Sequence, residues 1–222
     1  MSAPKLAKTV YTYNGKVQKP SVTVKDSTGK PLKASADYTV NYPKGRKAVG
    51  RYGVQVKLKG KYKGSRTVYF TVKPKGTSIS KVTGGKKKIT VTWKKQTAQT
   101  TGYQIQYSTS SNFKNAKTVT VSKNSTTKKT ITGLKNGKKY YVRVRTYKTV
   151  KTGHKSTKYY STWSKSKKTG GAKKSAPKGN TVYVSPTGKK YHYIKSCTGK
   201  HPIKTTLKEA KKNHTPCKKC AM

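Results

Sequence analysis

Three cysteines and four histidines are the side chains of this sequence best suited to specific chemistry, and the cysteines are unevenly placed. Cys217 and Cys220 form a C-x2-C pair at the end of the chain, and Cys197 lies upstream of them. The backbone turn of a C-x2-C pair can aim two thiolates at one ion. These residues therefore favour a metal site over a disulfide framework.

A fourth ligand for such a site must be a histidine, and three histidines fit by spacing. His192 gives H-x4-C with Cys197, His201 gives C-x3-H after the same cysteine, and His214 gives H-x2-C with Cys217. Thiolates combined with one imidazole favour Zn²⁺ in a closed tetrahedral site. The many lysines nearby are expected to lower the pKa of the cysteine thiols.

The chain that carries this pattern is strongly basic. Lysine and arginine total 54, aspartate and glutamate total 3, and the formal net charge is +51 over 222 residues. The excess is spread evenly, with +16 in residues 1–76, +23 in 77–170 and +12 in 171–222. Almost no lysine can have a carboxylate partner, so we expect a self-repelling monomer with a positive surface on every side.

Such a surface attracts anionic material mainly through counterion release, whatever the sequence of that material. The candidate partners are teichoic acid, nucleic acid, acidic glycans and anionic lipid surfaces. Lysine greatly outnumbers arginine, which is the usual reader of bases, so any nucleic-acid binding should be blind to sequence. No stretch reaches the ~20 apolar residues that span a membrane, and the start MSAPKLAKTV lacks a secretory signal core.

The composition argues against an enzyme. General acid–base chemistry needs titratable groups gathered in a pocket, and the sequence offers one Glu, two Asp and four His. Asp26 and Asp37 both lie beside predicted turns, and His154 lies in a predicted exposed loop. A zinc ion with four protein ligands keeps no position for water. We therefore predict no catalytic site.

Residues 1–76 alternate apolar and polar side chains with a period of two, which predicts β-strands. Val54 and Val56 share one face of a predicted strand, as do Phe70 and Val72 of another. The segments YNGKVQKPSVTV, DYTVNY and GKYKGSRTVYFTV resemble the small immunoglobulin-like repeats of bacterial surface proteins. The resemblance implies a β-sandwich.

Residues 77–169 contain the strand patterns KKKITVTWKK, GYQIQYSTS, KTVTVS and YYVRVRTYK, with a last strand predicted around Trp163. Together with Trp93 and the turn GLKNGKKY, this order closely resembles a fibronectin type III domain. The resemblance implies that Tyr140 is the corner tyrosine that hydrogen-bonds back across its turn. A few residues join the two predicted sandwiches, so we expect a semi-rigid rod.

Residues 170–180 read as a Gly/Ser/Pro/Lys linker, and residues 181–222 differ in character from the strands before them. We predict a hairpin around Pro186–Gly188 and a short helix in TTLKEAKKNH, capped by Thr205 or Thr206. Glu209 would lie in the first turn of that helix. So short a segment has too little apolar core to fold alone, and a bound metal would supply what is missing.

The residues Tyr191, His192 and Cys197, followed by EAKKNHTPCKKC, resemble the Ada-type zinc-binding module. The resemblance implies one zinc ion and places His192 where the Ada repair protein has its methyl-accepting cysteine. That departure puts the repair chemistry in doubt and favours a structural site. His201 stays open as the fourth ligand, because H-x4-C is looser than the family's usual spacing. The predicted ligands are His192, Cys197, Cys217 and Cys220.

The predicted fold is all-β, with two tandem β-sandwich domains and a small zinc-stabilised α+β module at the C-terminus. The predicted function is that of a non-enzymatic, secreted or cell-surface bacterial spacer that binds anionic wall polymers by charge. The alternatives are sequence-nonspecific nucleic-acid binding and a role as a cationic carrier of macromolecules.

Overall fold

The computed structural model describes residues 2–169, 181–193, 195–199, 201–217 and 220. Strands dominate the described chain and fall into three groups, at 5–73, 79–169 and 181–216, which agrees with the predicted all-β class. The linker predicted at 170–180 lies outside the described residues. None of the helices within the described ranges is long and apolar enough to cross a membrane.

The strands and helices have the following bounds: β1 Lys5–Leu6, β2 Val10–Thr12, β3 Val22–Thr23, β4 Tyr38–Asn41, β5 Gly50–Leu58, β6 Ser65–Lys73, β7 Ile79–Gly85, β8 Lys88–Trp93, β9 Gly102–Ser108, β10 Lys117–Val121, β11 Lys128–Ile131, β12 Tyr140–Thr152, β13 Lys155–Tyr160, β14 Lys167–Thr169, β15 Thr181–Val184, β16 Lys190–His192, a 3₁₀ turn Lys195–Cys197, β17 Ile203–Thr206, α1 Leu207–Asn213 and β18 Thr215–Pro216.

The first group of strands forms a four-stranded sheet of order β2-β6-β5-β4 and a two-stranded sheet of β1 and β3. The alternation of β5 and β6 buries Val54, Phe70 and Val72 on one side of the larger sheet. Leu6 and Val22 of the smaller sheet pack against that cluster. The two sheets therefore enclose an apolar core between them, as the period-two pattern predicts.

The segment SVTVKDSTGKPLK forms less strand than its pattern predicts. After β3 only an isolated bridge between Lys25 and Pro31 continues the pairing, because proline has no N–H to donate to a longer ladder. Asp26 organises the turn: its Oδ1 accepts hydrogen bonds from the backbone N–H of Thr28 at 2.9 Å and of Lys30 at 3.0 Å. The carboxylate of Asp26 is therefore engaged in hydrogen bonds within its own turn.

The second group forms a three-stranded sheet of order β11-β8-β7 and a larger sheet built on β10-β9-β12-β13, with β14 also paired to β12. Both faces that meet are apolar. Trp93 and Tyr103 are buried at the centre, and their ring centroids lie 5.3 Å apart. This arrangement is a β-sandwich with a continuous core.

The predicted tyrosine corner is confirmed. The Oη atom of Tyr140 accepts a hydrogen bond from the backbone N–H of Lys135 at 3.0 Å, and Leu134 is buried beside it. The turn between them places Gly137 at a φ of 71°, a left-handed conformation that glycine adopts without a steric penalty.

The strand predicted around Trp163 is wrong, because residues 161–166 belong to no strand. Two serine hydroxyls take the place of ladder acceptors here. Ser161 Oγ accepts from the backbone N–H of Thr146, and Ser164 Oγ accepts from that of Val144, both at 3.1 Å. Side-chain oxygens therefore satisfy the donors of β12 that a regular strand would pair with its carbonyls.

Two hydrogen bonds join the first group of strands to the second. Gln99 Oε1 accepts from the backbone N–H of Val49 at 3.2 Å, and Thr146 Oγ1 donates to the carbonyl of Lys75 at 2.8 Å. These contacts are compatible with the semi-rigid pair expected from the short connection.

The third group forms one small sheet of order β17-β15-β16-β18, with α1 packed on it. The predicted hairpin is β15 and β16, and the predicted helix is α1. Of the two predicted caps, Thr206 at the end of β17 is the N-cap, since its Oγ1 accepts a hydrogen bond from the backbone N–H of Glu209 at 3.2 Å. The buried core consists of Val182, Val184, Tyr191 and Ala210.

Candidate metal centre

The sheet pairing of the third group brings the first two predicted ligands together. β16 and β18 run parallel with Tyr191 opposite Pro216, so the next residues along each strand, His192 and Cys217, become neighbours. The backbone N–H of Cys217 donates to the carbonyl of Tyr191 at 3.0 Å and fixes this register. The position of the pair is therefore set by backbone hydrogen bonds.

The other two cysteines reach the same point from tight turns. Cys197 ends the 3₁₀ turn Lys195–Cys197, and the backbone N–H of Thr198 closes that turn onto the Lys195 carbonyl at 3.2 Å. The backbone N–H of Cys220 donates to the carbonyl of Cys217 at 3.1 Å, which is the turn expected of C-x2-C.

The four donor atoms lie within 4.8 Å of one another. The Sγ atoms of Cys197 and Cys217 are 4.0 Å apart, and the Sγ of Cys220 lies 3.7 Å from Nδ1 of His192. A tetrahedral zinc ion separates two sulfurs by about 3.8 Å, and a sulfur from an imidazole nitrogen by about 3.6 Å. The donor set thus has the chemistry and the spacing that a tetrahedral thiolate–imidazole site requires.

The structure also bears on two alternatives, a disulfide bond between cysteines and a different histidine as the fourth ligand. A sulfur–sulfur distance of 4.0 Å is about twice the ~2.05 Å of a disulfide bond, so Cys197 and Cys217 are not cross-linked. Neither His201 nor His214 belongs to the group of donors found among the described residues, and His201 is exposed. Of the three candidate histidines, the structure therefore places His192, which the Ada-type alignment selects, beside the three cysteines.

The pKa of Cys197 shifts in the direction opposite to the one expected from the nearby lysines, which was a lowered thiol pKa. Without an ion, the pKa of Cys197 rises to about 11, first because burial disfavours the thiolate and then because the thiols of Cys220 and Cys217 lie beside it. Burial and the neighbouring thiols therefore both oppose the ionisation of Cys197. Burial, with a smaller effect of Lys190, lowers the pKa of His192 and favours its neutral form.

A second concave feature was not predicted from the sequence. It is a cavity of about 480 Å³ in the second group of strands, between the loop that follows β9 and the loop that precedes β12. Its walls come from strands of the larger sheet and from two loops about 25 residues apart in sequence, so no local motif marks it.

The comparison with protein families concerns the second group of strands. The family model of the fibronectin type III domain matches residues 72–162, which include the Trp93 core and the Tyr140 corner. The protein contains a fibronectin type III domain. Domains of this family are typically non-enzymatic binding or scaffold modules.

Two solved structures match parts of the chain at low sequence identity. The crystal structure of the FN1–FN3 domains of chicken CNTN1 is 22% identical with a TM-score of 0.39, covering 57% of this chain and 44% of that one. A structure titled "Myokine structure" is 13% identical with a TM-score of 0.34, covering 44% of this chain and 99% of that one. The chain thus spans less than half the length of the CNTN1 structure. No curated protein matches the chain in sequence.

Proposed function

We propose that the chain is a bacterial secreted or cell-surface module that acts as a spacer and binds anionic polymers by charge. Its parts would be an immunoglobulin-like repeat, the fibronectin type III domain and an Ada-like module held by a structural zinc ion. The favoured ligand is a cell-wall polyanion such as teichoic acid. The shortage of available carboxylates supports this proposal most directly.

Each of the three acidic side chains has a local role. Asp26 closes its turn, and Asp37 accepts a hydrogen bond from the backbone N–H of Lys33 at 2.7 Å. Glu209 pairs with Lys212 at 3.0 Å, the sole ion pair among the described residues. The lysines are therefore left to face solvent without counter-charges, and an external polyanion can supply them.

The arginines, in contrast, are largely engaged within the protein. Arg143 and Arg145 stack on Trp163 at 4.9 and 4.2 Å, and they donate to Gln106 and Gln104. Arg51 lies 3.7 Å from the ring centre of Tyr69. The cations left to meet a ligand are thus mostly lysines, which act as point charges and do not read bases.

The tyrosines also favour a wall polymer over nucleic acid. Of the 17 tyrosines, all in the described part of the chain, only Tyr69 is exposed. The rest are buried or partly buried, and Arg51 already covers the Tyr69 ring. The surface therefore offers few open aromatic faces on which bases could stack.

The metal cluster supports a structural role for the ion. Three thiolates and one imidazole complete a tetrahedral shell, which leaves no position for a substrate water. Zinc bound there would neutralise the thiolates and join β16, β18 and the 3₁₀ turn, so that its binding energy becomes folding energy. His192 stands where a methyl-accepting thiolate would be needed, so we assign no repair chemistry.

Retention on purified cell walls tests the proposal. Walls stripped of teichoic acid should bind several-fold less protein than intact walls at about 0.15 M salt, and added salt should release the protein steeply. Equal retention on both kinds of wall at this salt concentration would contradict the proposal. A measurable preference for one DNA sequence over other polyanions would instead support the nucleic-acid alternative.

A further inference from the structure

The floor of the cavity in the fibronectin type III domain contains the partly exposed ring of Tyr107, which packs beside the buried side chains of Tyr140 and Leu134. The rings of Tyr107 and Tyr140 lie 6.3 Å apart at an angle of 54°, and buried Leu134 lies next to them. Its volume of about 480 Å³ is within the range of small-ligand sites. Such a floor suits the apolar face of a sugar ring better than an acyclic chain.

The rim of the cavity is polar and carries no acidic side chain. Hydroxyls come from Ser110 and Thr132, and exposed ammonium groups come from Lys114, Lys117 and Lys135. Lysine donors around an aromatic floor fit a ring that carries both hydroxyl groups and a negative charge. A neutral ligand would gain no charge–charge attraction from the three cations.

The loop that forms one wall is already ordered by its own hydrogen bonds. Ser108 Oγ donates to the carbonyl of Lys114 at 2.7 Å, and Asn112 Oδ1 accepts from the backbone N–H of Lys114 at 3.0 Å. The Phe113 ring is held 4.0 Å from the Arg143 guanidinium. A wall built in this way loses little conformational entropy when a ligand enters.

From these observations we propose that the cavity binds an acidic sugar unit, a carboxylated pyranose, within a larger anionic glycan. The pyranose ring lies against the partly exposed ring of Tyr107, and the carboxylate faces Lys114 and Lys117. This inference rests on the proposed function, since it gives a non-specific polycation one site with a defined ligand class.

Nuclear magnetic resonance titration of the full chain tests the assignment. The acidic probe is α-1,4-linked trigalacturonate, the neutral probe is maltotriose, and tripolyphosphate is an anion without a sugar ring, all at about 0.3 M salt to suppress diffuse binding. The expected result is saturable shifts for trigalacturonate at residues of the cavity. Equal shifts with maltotriose or with tripolyphosphate would overturn the assignment, as would no shifts with trigalacturonate.

A matched pair of double variants distinguishes the cavity from overall charge. Lys114→Gln with Lys117→Gln removes two rim cations, and Lys151→Gln with Lys155→Gln removes the same charge at the far end of β12. Lys117 is level with Val142 of β12, so Lys151 lies about 30 Å away along the strand, given the ~3.3 Å rise per strand residue. The first variant should weaken trigalacturonate binding about tenfold and the second less than twofold.

An equal loss in both variants would overturn the site. All four lysines are exposed, so neither variant should disturb the fold. Retention on teichoic acid walls is measured on the same proteins. If retention persists while trigalacturonate fails to bind, the sugar site is wrong and the charge-based function stands. If the protein neither stays on the walls nor binds trigalacturonate, both the sugar site and the charge-based function are wrong.

Discussion

The fibronectin type III domain and the C-terminal unit, residues 181–217 with Cys220, face the same excess of positive charge but are held together differently. Twelve buried residues form the core of the former: Ile79, Ile89, Val91, Trp93, Tyr103, Ile105, Val121, Ile131, Leu134, Tyr140, Val142 and Val144. Among the described residues of the latter, the core has four buried members. A large core can support a cationic surface by itself, whereas a unit with a small core would need a further source of stability, such as the metal ion that we propose.

The comparison also separates two kinds of polar stabilisation. In the fibronectin type III domain, hydrogen bonds such as that of Tyr140 add to a core that is sufficient without them. In the C-terminal unit, the donor cluster joins three elements that share few apolar contacts. Removal of one polar group should therefore be tolerated in the first region and should be critical in the second.

The largest effect is expected from Cys217→Ser, which removes one thiolate from the cluster. Structural zinc sites contribute about 10–16 kcal/mol of apparent binding energy, so the unit should lose its ion and unfold. Native mass spectrometry should show one zinc per wild-type chain and none per variant chain. His201→Ala is the matched control, since His201 lies outside the cluster, and it should retain the metal. A Cys217→Ser protein that keeps stoichiometric zinc would contradict the account.

The next effect should come from Ile105→Ala in the core of the fibronectin type III domain. Ile105 is fully buried on β9, and truncation of such a side chain typically costs about 2–5 kcal/mol. Both tryptophans of the chain, Trp93 and Trp163, lie in this domain, so fluorescence during denaturation reports its stability alone.

Ile203→Ala provides the comparison for the same chemical change at an exposed site. Ile203 is 50% exposed on β17, and its loss should shift the stability of its own unit by less than about 0.5 kcal/mol. Similar losses of unfolding free energy for Ile105→Ala and Ile203→Ala would show that burial does not distinguish the two positions.

A smaller effect is expected from Tyr140→Phe, which removes the acceptor for the Lys135 backbone N–H and keeps the ring. The loss should be about 1 kcal/mol, the usual net value of one hydrogen bond. Tyr141→Phe, on the opposite face of β12, is the control and should be nearly neutral. Tryptophan fluorescence again gives the unfolding midpoint, and a loss at both positions alike would argue against a specific corner bond.

The smallest effect should come from Glu209→Gln, which breaks the pair with Lys212. Both side chains are about 60% exposed, so solvent screening limits the pair to about 0.2–0.5 kcal/mol. Denaturation of the zinc-bound unit, followed by nuclear magnetic resonance, measures it. A loss as large as that of Cys217→Ser would mean that charge pairing, and not metal, holds the unit.

Sequence patterns predicted the elements whose side chains alternate, because burial on one face leaves a period of two. Val54, Phe70 and Ile105 all follow that rule. The metal cluster was also accessible from sequence, since Cys217 and Cys220 share one turn, although spacing alone left three histidines open. The parallel register of β16 with β18, which selects His192, depends on tertiary pairing.

Three features could not be obtained from local patterns. The segment around Trp163 looks like a strand, but its serine hydroxyls replace ladder acceptors on β12. The raised pKa of Cys197 depends first on burial and then on the two neighbouring thiols, and both arise only in the folded chain. Similarly, the cavity floor pairs Tyr107 with Tyr140 across two loops, and only the fold shows that these rings are neighbours.

Two amide spectra of the full chain, recorded before and after exhaustive chelation, test the central claim most directly. We predict that resonances of the C-terminal unit collapse to unfolded positions while those of residues 79–169 remain unchanged, and that added zinc restores the first spectrum. A C-terminal unit that stays folded without any ion, or a fibronectin type III domain that unfolds with it, would contradict the account.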